Sequence, residues 1–293
     1  MKIVDCFMYF DEDMMLDLRL NVLDKYVSNF IVCEATFNHK GIKKKLNFDI
    51  NNFKKFKNKI NYIVIDKLPN DIESINKNDS KNSTNSKILT NALKRENFQR
   101  NSISKGILDA EDEDMIIISD VDEIPNLENV NFSGKFIFFK QSMFYYKFNL
   151  KQSNMVWIGS KACKKRYLKS PQWLRNMKDR SYPFWRIDTL FSKTKYMNLQ
   201  FIEKGGWHFS NIKDAKKIFH KHSKYLHHLE FEESKLTSKE IEELIKDKKI
   251  LYDLTTDKRK GKFRSSIKLN IANEKELPKY LIENYINYKN WID

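Results

Sequence analysis

The stretch EDEDMIIISDVDEIP, from Glu111 to Pro125, contains the strand around which we expect the fold to be built. Its run Met115–Ile118 is short, continuous and apolar, as strands are when a parallel sheet buries both of their faces. We expect the acidic residues 111–114 before this run to form a solvated turn. The carboxylates that the strand would deliver to its carboxyl end are Asp120, Asp122 and Glu123.

Strands and helices alternate along the chain before this central strand. The alternation predicts an α/β domain with a largely parallel sheet. The polar stretch 70–87, rich in Asn and Ser, predicts an exposed loop. The predicted strands are Lys2–Phe10, Val27–Ala35 and Ile60–Pro69, and the predicted helices are 11–26 and 88–110. The first helix carries Met14, Leu18 and Val22 on one face.

The pattern changes beyond the central strand. Residues 135–150 predict one or two further strands, and residues 157–209 are rich in Trp, Tyr and Arg with weak periodicity. The chain from residue 212 onward predicts mainly helices. The predicted fold class is therefore α/β, a mostly parallel sheet flanked by helices with a helical C-terminal region. The C-terminal helices are expected over 212–226, 238–251 and 277–292.

The composition is that of a folded, basic chain of 293 residues. Hydrophobic residues make up 41% of the chain, which excludes a disordered protein. The three cysteines lack metal-type spacing, which argues against a disulfide framework and a structural zinc site. No apolar run approaches the ~20 residues of a spanning helix, and the N-terminus does not resemble a signal peptide. We therefore expect a cytoplasmic location.

The formal net charge of +15 is compatible with three kinds of partner: nucleic acid, an anionic membrane surface and a phosphorylated substrate. The lysines are dispersed rather than concentrated on one predicted helix, so a solvated surface is the first interpretation. Peripheral association with an anionic membrane is the second. We expect no nucleic-acid partner, because no helix-turn-helix or stacked-aromatic signature is present.

The acids at the end of the central strand favour a metal site. Ligands of open α/β sheets bind outside the carboxyl ends of the strands, where Asp120, Asp122 and Glu123 are expected. Adjacent carboxylates repel each other, and a hard divalent ion that also contacts substrate phosphate oxygens would compensate them. The alternative, ordinary acids at a strand end, stays open because a bare Asp-x-Asp tripeptide is a weak signal.

A second motif, EKGGWHFS, runs from Glu203 to Ser210. Its paired glycines would let the backbone approach a neighbour closely. His208 follows between two aromatic residues. We interpret this side chain either as a third metal ligand or diphosphate contact, or as a partly buried histidine that packs beside Trp207 and Phe209.

Five motifs in order resemble those of glycosyltransferase family 17, and together they span nearly the whole chain. They are DCFMYFDEDMMLDLRLNVLDKYVSNFIVCEATFNHKG (5–41), IIISDVDEIP (116–125), GGWHFS (205–210), HLEF (228–231) and LPKYLIENYINYKNW (277–291). Several separated motifs are much more specific than Asp-x-Asp alone.

The resemblance implies a Rossmann-like fold of GT-A type and a β-1,4-N-acetylglucosaminyltransferase-like activity. That activity is a metal-dependent, inverting transfer from UDP-GlcNAc to a sugar hydroxyl of a glycan acceptor, with Mn²⁺ or Mg²⁺. We expect a single catalytic domain over 1–293, with a nucleotide- and metal-binding half (1–125), an acceptor-side half (126–230) and a helical C-terminal region (231–293). The implied site residues are Asp120 and Asp122 for metal and diphosphate, Glu34 near the nucleoside, and His208 for metal or phosphate.

The remaining roles are assigned from the chemistry of inverting transfer. Arg95 and Arg100, on the helix before the metal strand, are candidates to neutralise the leaving UDP, or they are ordinary surface arginines. A general base must deprotonate the acceptor hydroxyl. The candidates for this base are Glu123, Asp188 and Glu230, and the aromatic candidates for an acceptor groove are Trp157, Trp173, Trp185 and Trp207.

Two other classes of function are weighed against this one. A basic nucleic-acid-binding protein would use the lysines on phosphates. Another metal-dependent nucleotidyl or phosphoryl transferase would use the same carboxylates, although the chain contains no P-loop.

Overall fold

The structure is a computed structural model that describes residues 1–183, 185–189, 191–223, 228–253, 262–263 and 265–293. The strands are β1 (Ile3–Met8), β2 (Asn29–Ala35), β3 (Ile60–Ile65), β4 (Met115–Asp120), β5 (Glu123–Pro125), β6 (Phe136–Phe139), β7 (Gln141–Tyr145), β8 (Leu150–Trp157), β9 (Lys161–Lys164), β10 (Leu199–Ile202), β11 (Gly206–Ser210) and β12 (Asn270–Ile271). The helices are α1 (Asp13–Leu23), α2 (Lys81–Ser102), α3 (Pro171–Asn176), α4 (Ala215–His222), α5 (His228–Ser234), α6 (Ser238–Lys246), α7 (Lys279–Glu283) and α8 (Tyr285–Tyr288).

The main sheet has seven strands in the order β10-β6-β9-β4-β1-β2-β3. All of its neighbours pair in parallel except β9, which is antiparallel to both β4 and β6. Met8 pairs with Asp120 on one side and with Cys33 on the other, so β1, β2 and β4 end at the same edge. This confirms the predicted mostly parallel α/β sheet of GT-A type, and the shared edge is where such sheets bind ligands.

Strand β4 is buried on both faces, as its continuous apolar run predicts. Ile116 and Ile118 belong to one core cluster, whereas Met115 and Ile117 belong to another. Successive side chains of a strand point to opposite faces, so the four residues fill two cores at once. Strand β4 is therefore held rigidly from both sides, which fixes the position of its carboxyl end.

A second sheet of five strands, in the order β12-β8-β7-β11-β5, was not predicted from the sequence. Strand β11 pairs with β7 in parallel and with β5 in antiparallel fashion. Because β5 follows β4 by only two residues, the second sheet begins where the main sheet ends. This arrangement brings strands from the second half of the chain to the ligand-binding edge.

Helices cover both faces of the main sheet. Ile103 and Ile107, which follow α2, belong to the core on one face. Leu16 of α1 lies in the core on the other face, together with Leu281 and Tyr288 of the C-terminal helices. None of the described helices combines the length and the apolar character that crossing a bilayer requires.

The C-terminal region is mainly helical, as predicted. Helices α4, α6, α7 and α8 lie within the three predicted segments, and residues 224–226 of the first segment lie outside the described residues. The predicted loop over 70–87 is wrong in its second half, because α2 already begins at Lys81. Ser80 caps this helix by accepting a hydrogen bond from the amide of Ser83 at 3.2 Å.

Two further local predictions need correction. Helix α1 does not bury a single stripe of Met14, Leu18 and Val22, because its Leu16, Arg19 and Leu20 are also fully buried. The acidic residues 111–114 are not simply a solvated turn. Asp114 is buried and accepts hydrogen bonds from the amides of Lys2 and Glu111 at 2.7 and 2.9 Å. It therefore fastens the start of β1 to the start of β4.

Candidate active site

The turn between β4 and β5 carries the chain from the main sheet to the second sheet. Strand β4 ends at Asp120 and β5 begins at Glu123, so Val121 and Asp122 form the turn. Strand β11 pairs with β5 and places His208 directly opposite Glu123. The second sheet thus brings an imidazole from a distant part of the chain beside residues 120–123, which are called the acidic turn below.

Gly206 allows β11 to approach β5. Its φ is +130°, a conformation that residues with side chains rarely adopt, and a Cβ atom here would lie 2.1 Å from the carbonyl oxygen of Ile124. The predicted close approach of backbone at the paired glycines is confirmed. Its partner is strand β5, so this glycine is required for the position of His208.

Arg19 holds the acidic turn from inside the protein. Its side chain is fully buried and forms two hydrogen bonds with the equally buried Asp5, at 2.7 and 2.6 Å. Its remaining nitrogen, Nη1, donates to the carbonyl oxygens of Asp120 at 3.1 Å and Glu123 at 2.7 Å. The turn is therefore fixed through its backbone, so Arg19 leaves the carboxylates of Asp120 and Asp122 available to other partners.

Asp120 is paired with two arginines. Arg100 donates to Oδ1 and Arg175 to Oδ2, each at 3.0 Å. Burial alone would raise the pKa of Asp120, but the two guanidinium groups outweigh it and hold the pKa well below its usual value. Asp120 is thus ionised at neutral pH, and its charge is largely compensated by the protein itself.

Glu123 is a buried member of the same network. Its carboxylate accepts hydrogen bonds from the amide of Asp120 at 2.8 Å and from Nε1 of Trp157 at 2.7 Å. Arg175 binds it through both terminal nitrogens, at 2.7 and 3.1 Å. The side chain is 1% exposed, so it organises the turn and Arg175 rather than presenting a reactive oxygen to solvent.

Asp122 has a different environment, with one imidazole and one ammonium group nearby. Its Oδ1 lies 3.7 Å from Nε2 of His208, and its Oδ2 lies 4.0 Å from Nζ of Lys221. Burial would raise the pKa of Asp122, but His208 and Lys221 outweigh it and lower the pKa. Burial would likewise lower the pKa of His208, but the surrounding carboxylates, Asp122 first, raise it.

These residues fit a divalent metal ion only as a partial set of ligands. Among the described residues, no three His, Cys, Asp or Glu side chains converge as a closed site requires. Asp122 and His208 supply one carboxylate and one imidazole at a separation beyond hydrogen-bond distance. Ions such as Mg²⁺ are commonly held by one or two carboxylates together with substrate phosphates. The pair therefore suits an ion whose remaining coordination positions are filled by the oxygens of a diphosphate.

A cavity of about 460 Å³ opens above this turn, within the size range of small-molecule sites. The ends of β1, β2 and β4 and the inner side of α2 form its walls. Its lining includes aromatic, cationic and acidic groups. Among them are Phe10, Phe37, Lys44, Arg100, Asp122 and His208. This cavity, called the donor cavity below, unites five of the predicted site residues: Arg100, Asp120, Asp122, Glu123 and His208.

Glu34 lies under the wall of the donor cavity rather than in it. The carboxylate is fully buried and accepts hydrogen bonds from the amides of Asn47 and Phe48 at 2.9 and 3.1 Å and from the hydroxyl of Tyr62 at 2.8 Å. It also pairs with Lys44, which lines the cavity. The structure thus places Glu34 where it positions Lys44.

Arg95 also lies outside the donor cavity. Its Nη1 donates to the carbonyl oxygen of His39 at 2.9 Å. A Cβ atom at Gly41 would lie 2.8 Å from its guanidinium carbon. Arg95 therefore supports the turn after β2, whereas Arg100, one and a half helical turns further along, reaches Asp120.

The two remaining base candidates lie outside the donor cavity. Asp188 is at the surface, where it pairs with Arg186 at 2.6 Å and Lys195 at 2.8 Å. Glu230 is exposed and accepts a hydrogen bond from the hydroxyl of Tyr252 at 3.2 Å. Neither is brought together with Glu123, which is part of the acidic turn.

The tryptophans predicted for an acceptor groove are dispersed. Trp157 lines the donor cavity, with its ring 5.0 Å from that of His208. Trp173 and Trp207 pack, partly buried, against the two cores, and Trp185 is exposed at the surface. The four residues do not form one groove.

Sequence reasoning missed Arg19, Arg175 and Lys221. Arg19 stands on an apolar helix, where a charged residue inside a hydrophobic pattern signals a buried partner. Arg175 stands in the weakly periodic region, and Lys221 is one of many lysines. For these two, only the three-dimensional structure distinguishes them from surface residues.

Comparison with protein-family models identifies a family. The model of the family described as Glycosyltransferase family 17 matches residues 1–292. No curated protein matches the chain.

Proposed function

We propose that this chain, which belongs to glycosyltransferase family 17, is a metal-dependent, inverting N-acetylglucosaminyltransferase. Membership of the family makes it a glycosyltransferase that uses a nucleotide-sugar donor and a glycan acceptor. The donor in this proposal is UDP-GlcNAc and the ion is Mn²⁺ or Mg²⁺. One observation carries the proposal: Asp122 and His208 face each other at 3.7 Å in the wall of the donor cavity.

The donor cavity offers separate regions for the parts of a nucleotide sugar. Phe10 and Phe37 supply aromatic surface beside the ends of β1 and β2, where a base can pack. Nζ of Lys44 lies 4.9 Å from the ring of Phe10, so a cation borders this surface. The acidic turn lies at the opposite wall. This order supports a nucleoside near β2 with its diphosphate directed toward Asp122.

Asp120 and Asp122 have different electrostatic roles in this proposal. Arg100 and Arg175 compensate Asp120, so the site does not oppose a dianionic diphosphate with two uncompensated carboxylates. Asp122 and His208 would hold the divalent ion, which when bound supplies positive charge to the departing diphosphate. Lys221, 4.0 Å from Asp122, adds a cation on the same side.

Inverting transfer also demands that the acceptor hydroxyl enter on the face of the sugar opposite the leaving group. The protein must therefore provide a second opening next to Asp122 and a base that borders both openings. Glu123 cannot meet this demand in its observed position, because its oxygens are occupied by Arg175, Trp157 and the amide of Asp120. The proposal therefore assigns Glu123 a positioning role.

The proposal is tested by titration calorimetry of UDP-GlcNAc with and without Mn²⁺, on wild type and on Asp122→Asn. We expect metal-dependent binding that the variant loses, and weaker binding of UDP-glucose and GDP-mannose. Asp188→Asn, a surface carboxylate outside the donor cavity, is the matched control and should bind as wild type does. Equal binding with and without metal, or unchanged binding by Asp122→Asn, would refute the metal role.

Stereochemistry can be tested with water as the acceptor. UDP-GlcNAc carries an α linkage, so an inverting enzyme first releases β-GlcNAc, and proton NMR distinguishes the anomers before they equilibrate. Release of the α anomer would contradict inversion. The experiment requires no knowledge of the natural acceptor.

The cytoplasmic location and peripheral membrane association stay predictions. The net charge of +15 supports the second, because dispersed lysines are attracted to anionic lipids. Co-sedimentation with vesicles that contain anionic lipid, compared with neutral vesicles at the same salt concentration, would test it.

A further inference from the structure

A second cavity adjoins the donor cavity and meets it at the acidic turn. Its volume is about 560 Å³, and it lies between the segment before α1, helix α4 and Trp291 near the C-terminus. The two cavities share part of their lining, so they adjoin each other at these residues. The shared residues are Tyr9, Glu12, Asp122, Asn211 and Lys221.

The lining of this second cavity has the chemistry of a carbohydrate site. Trp291 supplies an aromatic ring, and Asn47 and Asn211 supply amides that both donate and accept hydrogen bonds. Carboxylates accept hydrogen bonds from hydroxyl groups, and four of them line the space. The four are Asp11, Glu12, Asp13 and Asp122.

The charges of this lining nearly cancel. Three lysines at intervals of four residues, Lys213, Lys217 and Lys221, line the same space as the four carboxylates. Lys213 pairs with Asp11 and lies 3.7 Å from Glu12. A phosphate or carboxylate would therefore meet at least as much negative as positive charge here. The balance favours a neutral, polyhydroxylated ligand.

We propose that this second cavity is the acceptor site, that it takes a neutral sugar residue against Trp291, and that Glu12 is the catalytic base. The proposal rests on the transferase function proposed above. A transfer reaction needs the acceptor oxygen within about 3–3.5 Å of the anomeric carbon, so the acceptor must enter through a space that adjoins the diphosphate site. The second cavity meets this requirement because both cavities share Asp122.

Glu12 is chosen because of its place between the cavities. In the part of the chain that the structure describes, two carboxylate residues line both cavities, Glu12 and Asp122, and Asp122 is assigned to the metal ion. Oε2 of Glu12 accepts hydrogen bonds from the amides of Phe10 and Asp11 at 3.2 and 3.0 Å, which fix the side chain at the start of α1. Its side chain is 9% exposed. A fixed, partly desolvated carboxylate at the junction is what a general base requires.

The chemical step balances without a further reactant. The acceptor hydroxyl oxygen forms a bond to the anomeric carbon while the bond from that carbon to the diphosphate oxygen breaks. The bonding electron pair leaves with UDP, and the hydroxyl proton passes to the carboxylate of Glu12. The products are the glycoside, UDP and the protonated carboxyl group, which returns its proton to solvent.

The acceptor site is tested by saturation-transfer NMR with the methyl β-glycosides of glucose, galactose, mannose and N-acetylglucosamine. The measurement is made on the full chain, with and without UDP and Mn²⁺. We expect saturation transfer from wild type to at least one glycoside. Trp291→Ala should lose this signal, and Trp291→Phe should keep it because an aromatic ring remains. Trp185→Ala, which removes an exposed tryptophan that lines neither cavity, is the control and should behave as wild type.

The base is tested by the rate of UDP release from UDP-GlcNAc, in which water takes the place of the acceptor. Glu12→Gln should lower this rate by about 100-fold or more, the size of a general-base contribution. Its UDP binding and glycoside binding should stay as in wild type. The exposed Glu203→Gln is the matched control and should keep the wild-type rate.

The outcomes separate this proposal from the function on which it rests. If wild type does not bind UDP-GlcNAc, the proposed function fails, while the glycoside experiment still decides whether the second cavity binds sugar. If no glycoside shows saturation transfer from wild type, or if Trp291→Ala and wild type give equal signals, the acceptor-site assignment is overturned. If Glu12→Gln releases UDP at the wild-type rate, the base assignment is overturned while the donor site stands.

Discussion

Nη1 of Arg19 donates a hydrogen bond to the carbonyl oxygen of Glu123 at 2.7 Å, so the acidic turn is held from within by the first helix. The same guanidinium binds both oxygens of Asp5 on β1. One buried ion pair thus joins β1, α1 and the β4–β5 turn. This contact fixes the backbone that carries Asp120 and Asp122.

Arg19→Met is expected to destabilise the protein strongly. The substitution leaves Asp5 buried without its cationic partner and removes hydrogen bonds from the carbonyl oxygens of Asp120 and Glu123. Removing one partner of a buried pair typically costs about 3–5 kcal/mol. Urea denaturation followed by circular dichroism measures the change. The exposed pair of Arg186 and Asp188 provides the control, since Arg186→Met should leave the free energy of unfolding nearly unchanged.

Arg175→Lys is expected to weaken binding of UDP-GlcNAc. A lysine cannot donate to Asp120 and to both oxygens of Glu123 as the guanidinium does. Asp120 would then carry a less compensated charge next to the proposed diphosphate site, and we expect Kd to rise roughly tenfold, or about 1.4 kcal/mol. Calorimetry in the presence of Mn²⁺ measures it. Arg166→Lys, at an exposed ion pair with Glu113, should bind as wild type, and equal Kd values for both variants would contradict the role of Arg175.

The three carboxylates first considered as the base are expected to behave differently when each is replaced by its amide. Asp188→Asn and Glu230→Gln should keep the wild-type rate of UDP release, because both residues lie outside the two cavities. Glu123→Gln should lower the melting temperature, because an amide cannot accept all the hydrogen bonds that hold Arg175 and Trp157. A large loss of rate in Asp188→Asn with unchanged stability would contradict the placement of the active site.

The sequence predicts those elements that are marked by a pattern of neighbouring residues. The apolar run of β4 and the acids after it predict a buried strand and a polar strand end, and the structure shows both. The parallel sheet follows from the alternation of strands and helices. The start of α2 was missed because residues 81–87 carry no apolar stripe, so only the cap at Ser80 marks it.

The arrangement of the site depended on contacts between distant segments. Glu34 and Arg95 have the residue types of ligand contacts, yet their hydrogen bonds are directed to backbone and neighbouring side chains. Trp291, which lines the second cavity, is the last of five tryptophans and stands two residues from the end of the sequence given. No local pattern indicates that the C-terminal segment folds back beside α1. That proximity results from the shared core of Leu16, Leu281 and Tyr288.

The buried Lys161 is expected to make the free energy of unfolding depend on pH. Its ammonium group is buried and donates hydrogen bonds to the carbonyl oxygens of Arg175 and Met177 at 2.7 and 2.6 Å. Burial, with a smaller contribution from Arg175, lowers the pKa of Lys161 from 10.5 to about 8. Between these values the unfolded chain keeps the proton that the folded protein has released. Because the unfolded state then binds more protons, the contribution of Lys161 to the free energy of unfolding rises with pH above about 8.

Lys161→Met removes this contribution and should flatten the pH dependence. The difference between wild type and variant in the free energy of unfolding should increase by about 2 kcal/mol from roughly pH 7 to roughly pH 9.5 in favour of wild type. The buried Tyr145 and Tyr146, whose pKa burial raises, are present in both proteins, so their effect on the free energy of unfolding cancels in this difference. Lys169→Met at an exposed position is the control and should keep the wild-type slope. Parallel curves for wild type and Lys161→Met would mean that Lys161 keeps its proton across this range.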